Sequence, residues 1–412
     1  MKTVWIVNHY SAINSKDGWN GRHQSLARHM RARGWNPVLL LAGTDHPAGR
    51  SHLREGEKIR IGEEDGVPHV MFAAPEYSGN GRSRMVNMAV FALRILKPGA
   101  LKGVPRPDVI VGSTVHPAAA FAARMLARRY RTPFVFEIRD VWPEALIHLD
   151  QLSESSMVAR GMRRVMHSLV RTADLVVSPL PRIADYVTSI SPGRPTLWVA
   201  NGTEGDIPTK STGERPTRDG STFTLMYLGS LGAAMDVETI IRAASLLSRT
   251  LDGRQVVLRV VGDGARRAHL TEFAAEHAAD LEVRFEDRVP RASVLAKAAE
   301  ADCLVHAMHD HAVYQYGISP NKIFDYLLAA RPVAFAADAP MNPVEEAKAG
   351  RVVPPERPSD LAAALAEIAD LTPEERDEMG RRGREHVLAN YTYSALAEKL
   401  THGLDQLEGR LA

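Results

Sequence analysis

The feature that most constrains this chain is a pattern that occurs twice: short, continuous apolar runs separated by stretches with the periodicity of amphipathic helices. In the first half the runs are Val4-Trp5-Ile6-Val7, Val38-Leu39-Leu40-Leu41, Val109-Ile110-Val111, Phe134-Val135-Phe136 and Leu175-Val176-Val177. Helical spacing occupies 22–33, 118–129, 158–172 and 183–190 between and after them. A strand that is apolar at every position has to be covered on both faces, so this half is expected to be a doubly wound α/β domain with a parallel sheet. From 201 to 221 the pattern gives way to Gly, Pro, Thr, Lys and Glu, the chemistry of a linker. It then restarts, with strands expected over 224–228, 256–261, 282–285, 304–305 and 333–336. Helices are expected over 237–247, from 265, from 292, over 323–330 and over 360–371, the first burying Val237, Ile240, Ile241, Ala244 and Leu247 on one face.

A chain of 412 residues exceeds what one hydrophobic core usually serves. The expected division is 1–203 and 222–391, with a last helix over 392–412 returning to brace the first domain. Lys and Arg number 51 against 49 Asp and Glu, a formal charge of +2, which excludes the concentrated basic excess of a nucleic-acid binder. The single cysteine, Cys303, sits in an apolar run with no partner for a disulfide or a thiolate metal site. The opening run is too short for a signal peptide and is expected to be the first strand of the mature chain. The stretch 85–96, interrupted by Asn87 and Arg94, is too short to span a bilayer. A cytoplasmic protein is therefore expected, peripheral at most to the inner face of the cell membrane.

Open α/β sheets bind ligands where strands end and helices begin, and five such loops carry usable chemistry. The loop over 8–22 contains Gly18 and Gly21 ahead of a helix, suited either to backbone approach to an anion or to a plain surface turn. Ser113-Thr114-Val115-His116-Pro117 places His116 at a strand end, as a hydrogen-bonding partner of a reacting group or as a structural histidine. In Glu137-Ile138-Arg139-Asp140-Val141-Trp142, Asp140 is a candidate base and Trp142 a stacking platform, with Glu137 and Arg139 to orient an acceptor or simply to form an ion pair. Val261-Gly262-Asp263-Gly264 is a tight turn that lacks the third glycine of a dinucleotide fingerprint, because position 267 is Arg. The most specific is Ser319-Pro320-Asn321-Lys322-Ile323-Phe324-Asp325-Tyr326. Here Ser319 is expected to cap a helix whose first N–H groups, with Asn321 and the Lys322 cation, suit a diphosphate. The alternative is a capped helix with a Lys322–Asp325 pair of i, i+3 spacing.

Taken in order, Val7-Asn8-His9-Tyr10, Arg22-His23, the run from Glu137 to Pro143, Asn201-Gly202, Tyr227-Leu228-Gly229, Val261-Gly262-Asp263-Gly264 and Ser319 to Tyr326 resemble the retaining GT-B glycosyltransferases of family 4. Within that family the chain is similar to the branch of bacterial L-fucosamine transferases of O-antigen and capsule assembly. The resemblance implies two Rossmann-like domains facing a central cleft, with a nucleotide sugar held mainly by the C-terminal one. It implies that Gly21, Gly229 and Gly262 approach the donor, that His116 contacts the transferred sugar and that the backbone of Arg288 and Val289 meets the nucleobase. Asp325 falls where the family has a ribose-binding glutamate.

Two departures stand out. Gly317 occupies the position of the family's donor-sugar glutamate, and Ser230-Leu231-Gly232-Ala233-Ala234-Met235 stands where many members carry an Arg and a Lys for the diphosphate. Lys322 is then the expected phosphate ligand.

No Asp-x-Asp motif stands at a plausible strand end, so the expected reaction is metal-independent, without a cofactor. The resemblance implies retention at the anomeric carbon and a saccharide or polyprenyl-diphosphate-linked acceptor, in surface polysaccharide, lipopolysaccharide or capsule synthesis. Cations flank the apolar segment 82–102, which suits either an anionic membrane surface or a core helix with a solvated basic edge. Two other readings share the architecture: a sugar-nucleotide epimerase, and a binding subunit that has lost catalysis.

Overall fold

A computed structural model describes residues 1–10, 21–46, 48–79, 81–114, 116–148, 152–205, 221–251 and 253–408. They form two compact units, Met1–Ala200 with Tyr393–Ala412, and Asn201–Thr392. In chain order the first unit contains β1 (Lys2–Val7), α1 (Arg22–Arg31), β2 (Trp35–Ala42), β3 (Ile59–Glu64), β4 (Val67–Phe72), α2 (Arg82–Leu96) and β5 (Val109–Ser113). It continues through α3 (Pro117–Tyr130), β6 (Phe134–Glu137), α4 (Glu144–Ile147), α5 (Met157–Thr172), β7 (Leu175–Ser178), α6 (Ile183–Ile190) and β8 (Thr196–Trp198). The strands lie in the order β3-β4-β2-β1-β5-β6-β7-β8, and every pair is parallel except β3 with β4. Val4, Trp5, Leu39, Leu40, Val109 and Ile110 are wholly buried, which is why these strands read as unbroken apolar runs.

The second unit contains β9 (Thr222–Leu228), α7 (Val237–Thr250), β10 (Gln255–Val261), α8 (Arg267–His277), β11 (Glu282–Glu286), α9 (Val294–Ala299) and β12 (Cys303–Ala307). It then runs through α10 (Asn321–Leu328), β13 (Val333–Ala336), α11 (Pro343–Glu346), β14 (Gly350–Val353), α12 (Pro358–Asp370) and α13 (Pro373–Asn390). Its sheet is parallel throughout, in the order β11-β10-β9-β12-β13-β14. Both units are Rossmann-like. The apolar face of α7 packs into a core that includes Leu225, Leu258 and Val305, and Cys303 is buried there as a structural thiol. Burial pushes that thiol up to about 12, which keeps it protonated and unreactive.

Several elements depart from the sequence reading. The hairpin β3–β4 adds an antiparallel edge; it turns at Asp65-Gly66, where φ of 49° and 74° are the two positive values that a tight hairpin requires. Helix α13 follows α12 directly and begins with a capping box, Thr372 Oγ1 accepting from Glu375 N–H while Glu375 Oε2 accepts from Thr372 N–H. The N-cap of α10 is Pro320, not Ser319.

The last helix, α14 (Tyr393–Glu408), packs on α1 in the first unit, burying Leu396, Leu400, Leu404 and Leu407. Lys2 Nζ meets Asp405 at 3.0 Å and Arg33 donates to Ser394 Oγ at 3.1 Å. Truncating a wholly buried leucine costs about 2–5 kcal/mol. Leu404→Ala is therefore expected to speed hydrogen exchange in α1 and leave the peptides of β9–β12 unchanged; an α1 that exchanges as in the native chain would show that α14 does not stabilise it.

Candidate functional site

In sheets of this order, connections depart to opposite sides from two adjacent central strands, and ligands gather beyond the carboxyl ends of those strands. The strands are β1 and β5 in the first unit and β9 and β12 in the second.

Beyond β5, His116 is the N-cap of α3 and Pro117 its first residue. His116 Nδ1 accepts the Ala119 N–H at 3.3 Å, so the proton of the neutral ring is on Nε2. Nε2 is buried with no partner among the described residues. Burial, then the nearby His9 and Arg84, hold the imidazole well below its ordinary value, so it stays neutral. A buried neutral N–H without a partner is suited to donate to an uncharged hydroxyl.

Beyond β1, His9 meets the His116 ring edge-on, with centroids 4.7 Å apart. Asn87 Nδ2 donates to Thr44 Oγ1 and to the Pro75 carbonyl, so its Oδ1 accepts from His9 Nε2 at 2.6 Å. His9 Nδ1 is thereby left as a bare acceptor, and burial lowers the ring to about 3. Tyr10 stacks on His46 at 4.5 Å, and its hydroxyl accepts from Arg84 Nε at 2.8 Å. Sequence reading assigned no site role to His9, Tyr10, His46 or Asn87, and placed Arg84 only among the cations of 82–102. The signals available were a His-Tyr pair at a strand end and an asparagine inside an apolar helix.

Beyond β6 stands Glu137, the residue expected to orient an acceptor. Its carboxylate is buried and already engaged, accepting from Arg22 Nε at 3.1 Å and from His23 Nε2 at 2.6 Å. His23 Nδ1 accepts from Asn8 Nδ2 at 2.8 Å, which fixes the neutral tautomer that donates to Glu137. Arg22 also donates to the Val199 and Ala200 carbonyls at 2.7 and 2.5 Å. Burial on its own would raise the Glu137 carboxyl, but His23 and Arg22 hold it well below the usual range. The cluster ties the start of α1 to the ends of β6 and of 199–200. The ion pair left open for Arg139 is made by Arg22.

Arg139 is half-buried, and its N–H donates to Thr114 Oγ1 at 3.0 Å. Asp140 is exposed and Trp142 half-buried. Gly21 is the N-cap of α1 with an ordinary φ of −67°, and Gly18 lies outside the described residues.

In the second unit, backbone packing gathers the glycines. A Cβ on Gly262 would lie 1.8 Å from the Gly229 carbonyl oxygen, and one on Gly229 would lie 2.3 Å from Lys322 Cε. The two positions must be bare for the turns after β9 and β10 to nest and for Lys322 to lie across them. Lys322 Nζ donates to Tyr227 Oη at 2.6 Å and approaches Met235 Sδ at 3.2 Å and the Ser230 carbonyl at 3.4 Å. It also stands 4.7 Å from the centre of the Tyr227 ring. Among the described residues no carboxylate pairs with it, so the alternative of a Lys322–Asp325 pair does not form. Burial lowers its pKa to about 7.

Asp325 instead takes Arg291, which donates to both carboxylate oxygens, through Nη1 and at 2.6 Å through Nη2. This fork fastens the loop of Arg288 and Val289 to α10; Arg288 is exposed and Val289 half-buried. Ser319 does not cap the helix: its Oγ accepts from Asn201 N–H at 3.0 Å and its carbonyl from Asn201 Nδ2 at 2.6 Å. Asn321 is exposed at the helix start, where the first N–H groups have no helical acceptor. Gly317 has φ of 91°, a conformation that disfavours the glutamate the resemblance implies there.

Among the described residues, Asp236, His309 and Glu356 bring ligand atoms within 4.8 Å of one another, a set able to take a divalent cation. Each is already used in the fold: Asp236 caps α7 by accepting from Thr239 N–H, and Glu356 accepts from Asp310 N–H and bonds His309 at 3.0 Å.

Residues 18–202 match the Glycosyl transferase 4-like domain, and residues 222–370 match Glycosyl transferases group 1. Among curated proteins, the chain is 28% identical over 268 residues to the UDP-N-acetylglucosamine--N-acetylmuramyl-(pentapeptide) pyrophosphoryl-undecaprenol N-acetylglucosamine transferase of Thiobacillus denitrificans. That match spans 63% of this chain and 63% of the relative. It is 23% identical over 312 residues to the probable glycosyltransferase WbjE of Pseudomonas aeruginosa, covering 71% of this chain and 73% of that one. Among solved structures, sucrose-phosphate synthase from Thermosynechococcus elongatus superposes over 100% of both chains with a TM-score of 0.73 at 16% identity. HepE from Anabaena, solved with UDP and glucose, superposes with a TM-score of 0.67 at 14% identity, covering 98% of this chain and 99% of its own. At these identities the structural likeness speaks for the fold.

Removing one partner of a buried ion pair costs about 3–5 kcal/mol. Glu137→Gln is expected to destabilise the first unit by that amount at neutral pH. Because the folded carboxyl lies below its unfolded value, the contribution is present above the unfolded value near pH 4.5 and lost as pH falls below it. Denaturant unfolding at pH 7 and at pH 4 should show the gap between native and variant chains narrow on acidification; a constant gap would contradict an ionised Glu137.

Proposed function

Since the chain is a glycosyltransferase of the GT-B fold, we propose that it transfers a hexosyl group, N-acetylated, from a UDP-linked donor held by the second unit. The acceptor is a saccharide or polyprenyl-diphosphate-linked saccharide of surface polysaccharide assembly, as in the fucosamine-transferase-like branch, and the anomeric configuration is retained. The printed names of two similar proteins support the donor and acceptor classes: one uses UDP-N-acetylglucosamine and a pyrophosphoryl-undecaprenol acceptor, and HepE was solved with UDP and glucose.

The observation that carries the reading is Lys322. Its ammonium lies against the Ser230–Met235 turn, the turn that lacks the Arg and Lys of other members, and it adjoins the open start of α10. As the bond to the sugar breaks, negative charge develops on the departing diphosphate. A cation and unpaired N–H groups fixed beforehand stabilise that charge without reorganising. Lys322 and the N–H groups at Asn321 supply them, and the reaction needs no metal. Gly229 and Gly262 admit the donor backbone. The Arg288–Val289 loop meets the base, and Asp325, whose oxygens each keep a second lone pair beside Arg291, accepts from the ribose. His116 donates its Nε2–H to a hydroxyl of the transferred sugar. Asp140 is the acceptor-side base, with Arg139 and Trp142 beside it.

Thermal-shift measurements across a panel of nucleotide sugars are expected to select a UDP-sugar, to be unaffected by EDTA, and to lose about 10–100-fold in affinity on Lys322→Ala. No affinity for UDP or GDP, with Lys322→Ala behaving as the native chain, would overturn the assignment. Product formed from the nucleotide sugar without an acceptor would indicate an epimerase.

With a pKa of about 7, Lys322 is largely neutral in the free protein at about pH 8, and a neighbouring diphosphate drives it to protonate. UDP binding is therefore expected to take up about one proton at that pH and little at about pH 6. Calorimetry in buffers of different ionisation enthalpy measures this uptake. Its persistence in Lys322→Met would place the titrating group elsewhere.

A further inference from the structure

We propose that the face formed by α2 and α3 docks the first unit on an anionic lipid surface. Three observations meet there. The first is charge. Residues 77–136 hold ten Lys and Arg and one carboxylate, Asp108, in a chain whose formal charge is only +2. Asp108 is spent inside the fold, its Oδ2 accepting from Thr3 N–H at 2.7 Å. Among the described residues no carboxylate pairs with Arg82, Lys97, Lys102, Arg128 or Arg129.

The second is exposed apolar surface. On α2, Met85, Val86 and Leu93 are 57%, 51% and 69% exposed; the seven-residue step from Val86 to Leu93 keeps them on one side of the helix. On α3, Phe121 and Met125 are exposed one turn apart. The two helices pack against each other, so the stripes lie on neighbouring members of one layer.

The third is shape. Where the C-terminal ends of α2 and α3 meet, a cavity of about 130 Å³ has Ile95, Leu101 and Leu126 among its lining residues, together with Lys97, Lys102 and Arg129. Arg129 donates to the Leu96 carbonyl at 3.3 Å, which fixes the guanidinium at this edge. Three cations around an apolar notch are suited to a phosphate that carries hydrocarbon. A second depression, lined by Val90, Leu93, Arg94, Leu96 and Lys97, continues from it along α2.

A nucleic acid would use the cations and leave Leu93, Val86 and Phe121 in water, and a membrane interface takes both. Long basic side chains at the rim reach the headgroups while their stems cover the apolar strip. No helix among the described residues is long and apolar enough to cross a membrane, so the contact is peripheral. The proposal does not depend on the donor reading, since it invokes no sugar and no residue of the second unit.

Flotation of the full chain with phosphatidylcholine vesicles, alone or mixed with phosphatidylglycerol, tests it. The chain is expected to float with the mixed vesicles and not with phosphatidylcholine alone. Lys97→Glu with Lys102→Glu should lower partitioning at least about tenfold. Leu93→Ser with Val86→Ser should leave a weaker association that salt abolishes. All four positions are on the surface, and unchanged thermal unfolding would confirm that both variants fold. Absence of flotation, equal flotation with neutral vesicles, or unchanged binding by both variants would overturn the proposal, as would retention of the chain by duplex DNA in place of vesicles.

Discussion

The rest of the structure depends on two parallel sheets covered on both faces by helices. Such a sheet has no polar side to offer a ligand, and its strands all end along one edge. Chemistry can therefore be carried only by the loops at that edge, and they converge where the strand order reverses. In the first unit this brings His9 and His116 into ring contact although 107 positions of chain separate them. In the second it places Lys322 of α10 across the turn that leaves β9. The apolar strands that fix the fold thus also fix which polar residues can meet.

Burial then sorts those residues by charge. A charge withdrawn from water survives only with full compensation. Glu137 has that compensation, with both oxygens bonded inside the fold. His116 and His9 have shed their charge instead, and each keeps one ring nitrogen unbonded among the described residues. Such neutral, singly satisfied imidazoles discriminate hydroxyl groups by geometry and not by attraction of ions. Lys322 falls between the two cases. The Tyr227 hydroxyl and ring accept its ammonium without neutralising it, which leaves a cation that a diphosphate can complete.

How much was legible in the sequence follows from the same physics. Wholly buried strands are written in consecutive residues, so β1, β2, β5, β6 and β7 were readable, as was the restart at β9. The edge strand β3 is half-exposed along its length and carries no such run; its one signal was the Asp65-Gly66 turn. Helix α13 announced itself only through Thr372 and Glu375, because much of its surface is charged and exposed. Side-chain pairing was least legible. The i, i+3 spacing of Lys322 and Asp325 is compatible with a pair, yet Arg291 offers Asp325 a two-pronged donor and Lys322 finds an aromatic ring. Ser319 looked like a cap from its place before Pro320, but Asn201, 118 residues away, claims its hydroxyl and its carbonyl.

The departures from the family pattern form a connected set. With no Arg or Lys in the Ser230–Met235 turn, the cation that stands against it comes from another element, Lys322 of α10, which crosses the turn after β9. That path is open only because Gly229 has no side chain, and Gly262 in turn must be bare to admit the Gly229 backbone. Lys322 meets the turn at Ser230 and Met235, so it supplies to this loop the charge that the loop's own sequence lacks. Gly317, left-handed at the end of the preceding turn, gives up the carboxylate that would otherwise stand a few residues before that lysine. As proposed, the binding of an anionic leaving group would rest on one titratable ammonium and the start of one helix.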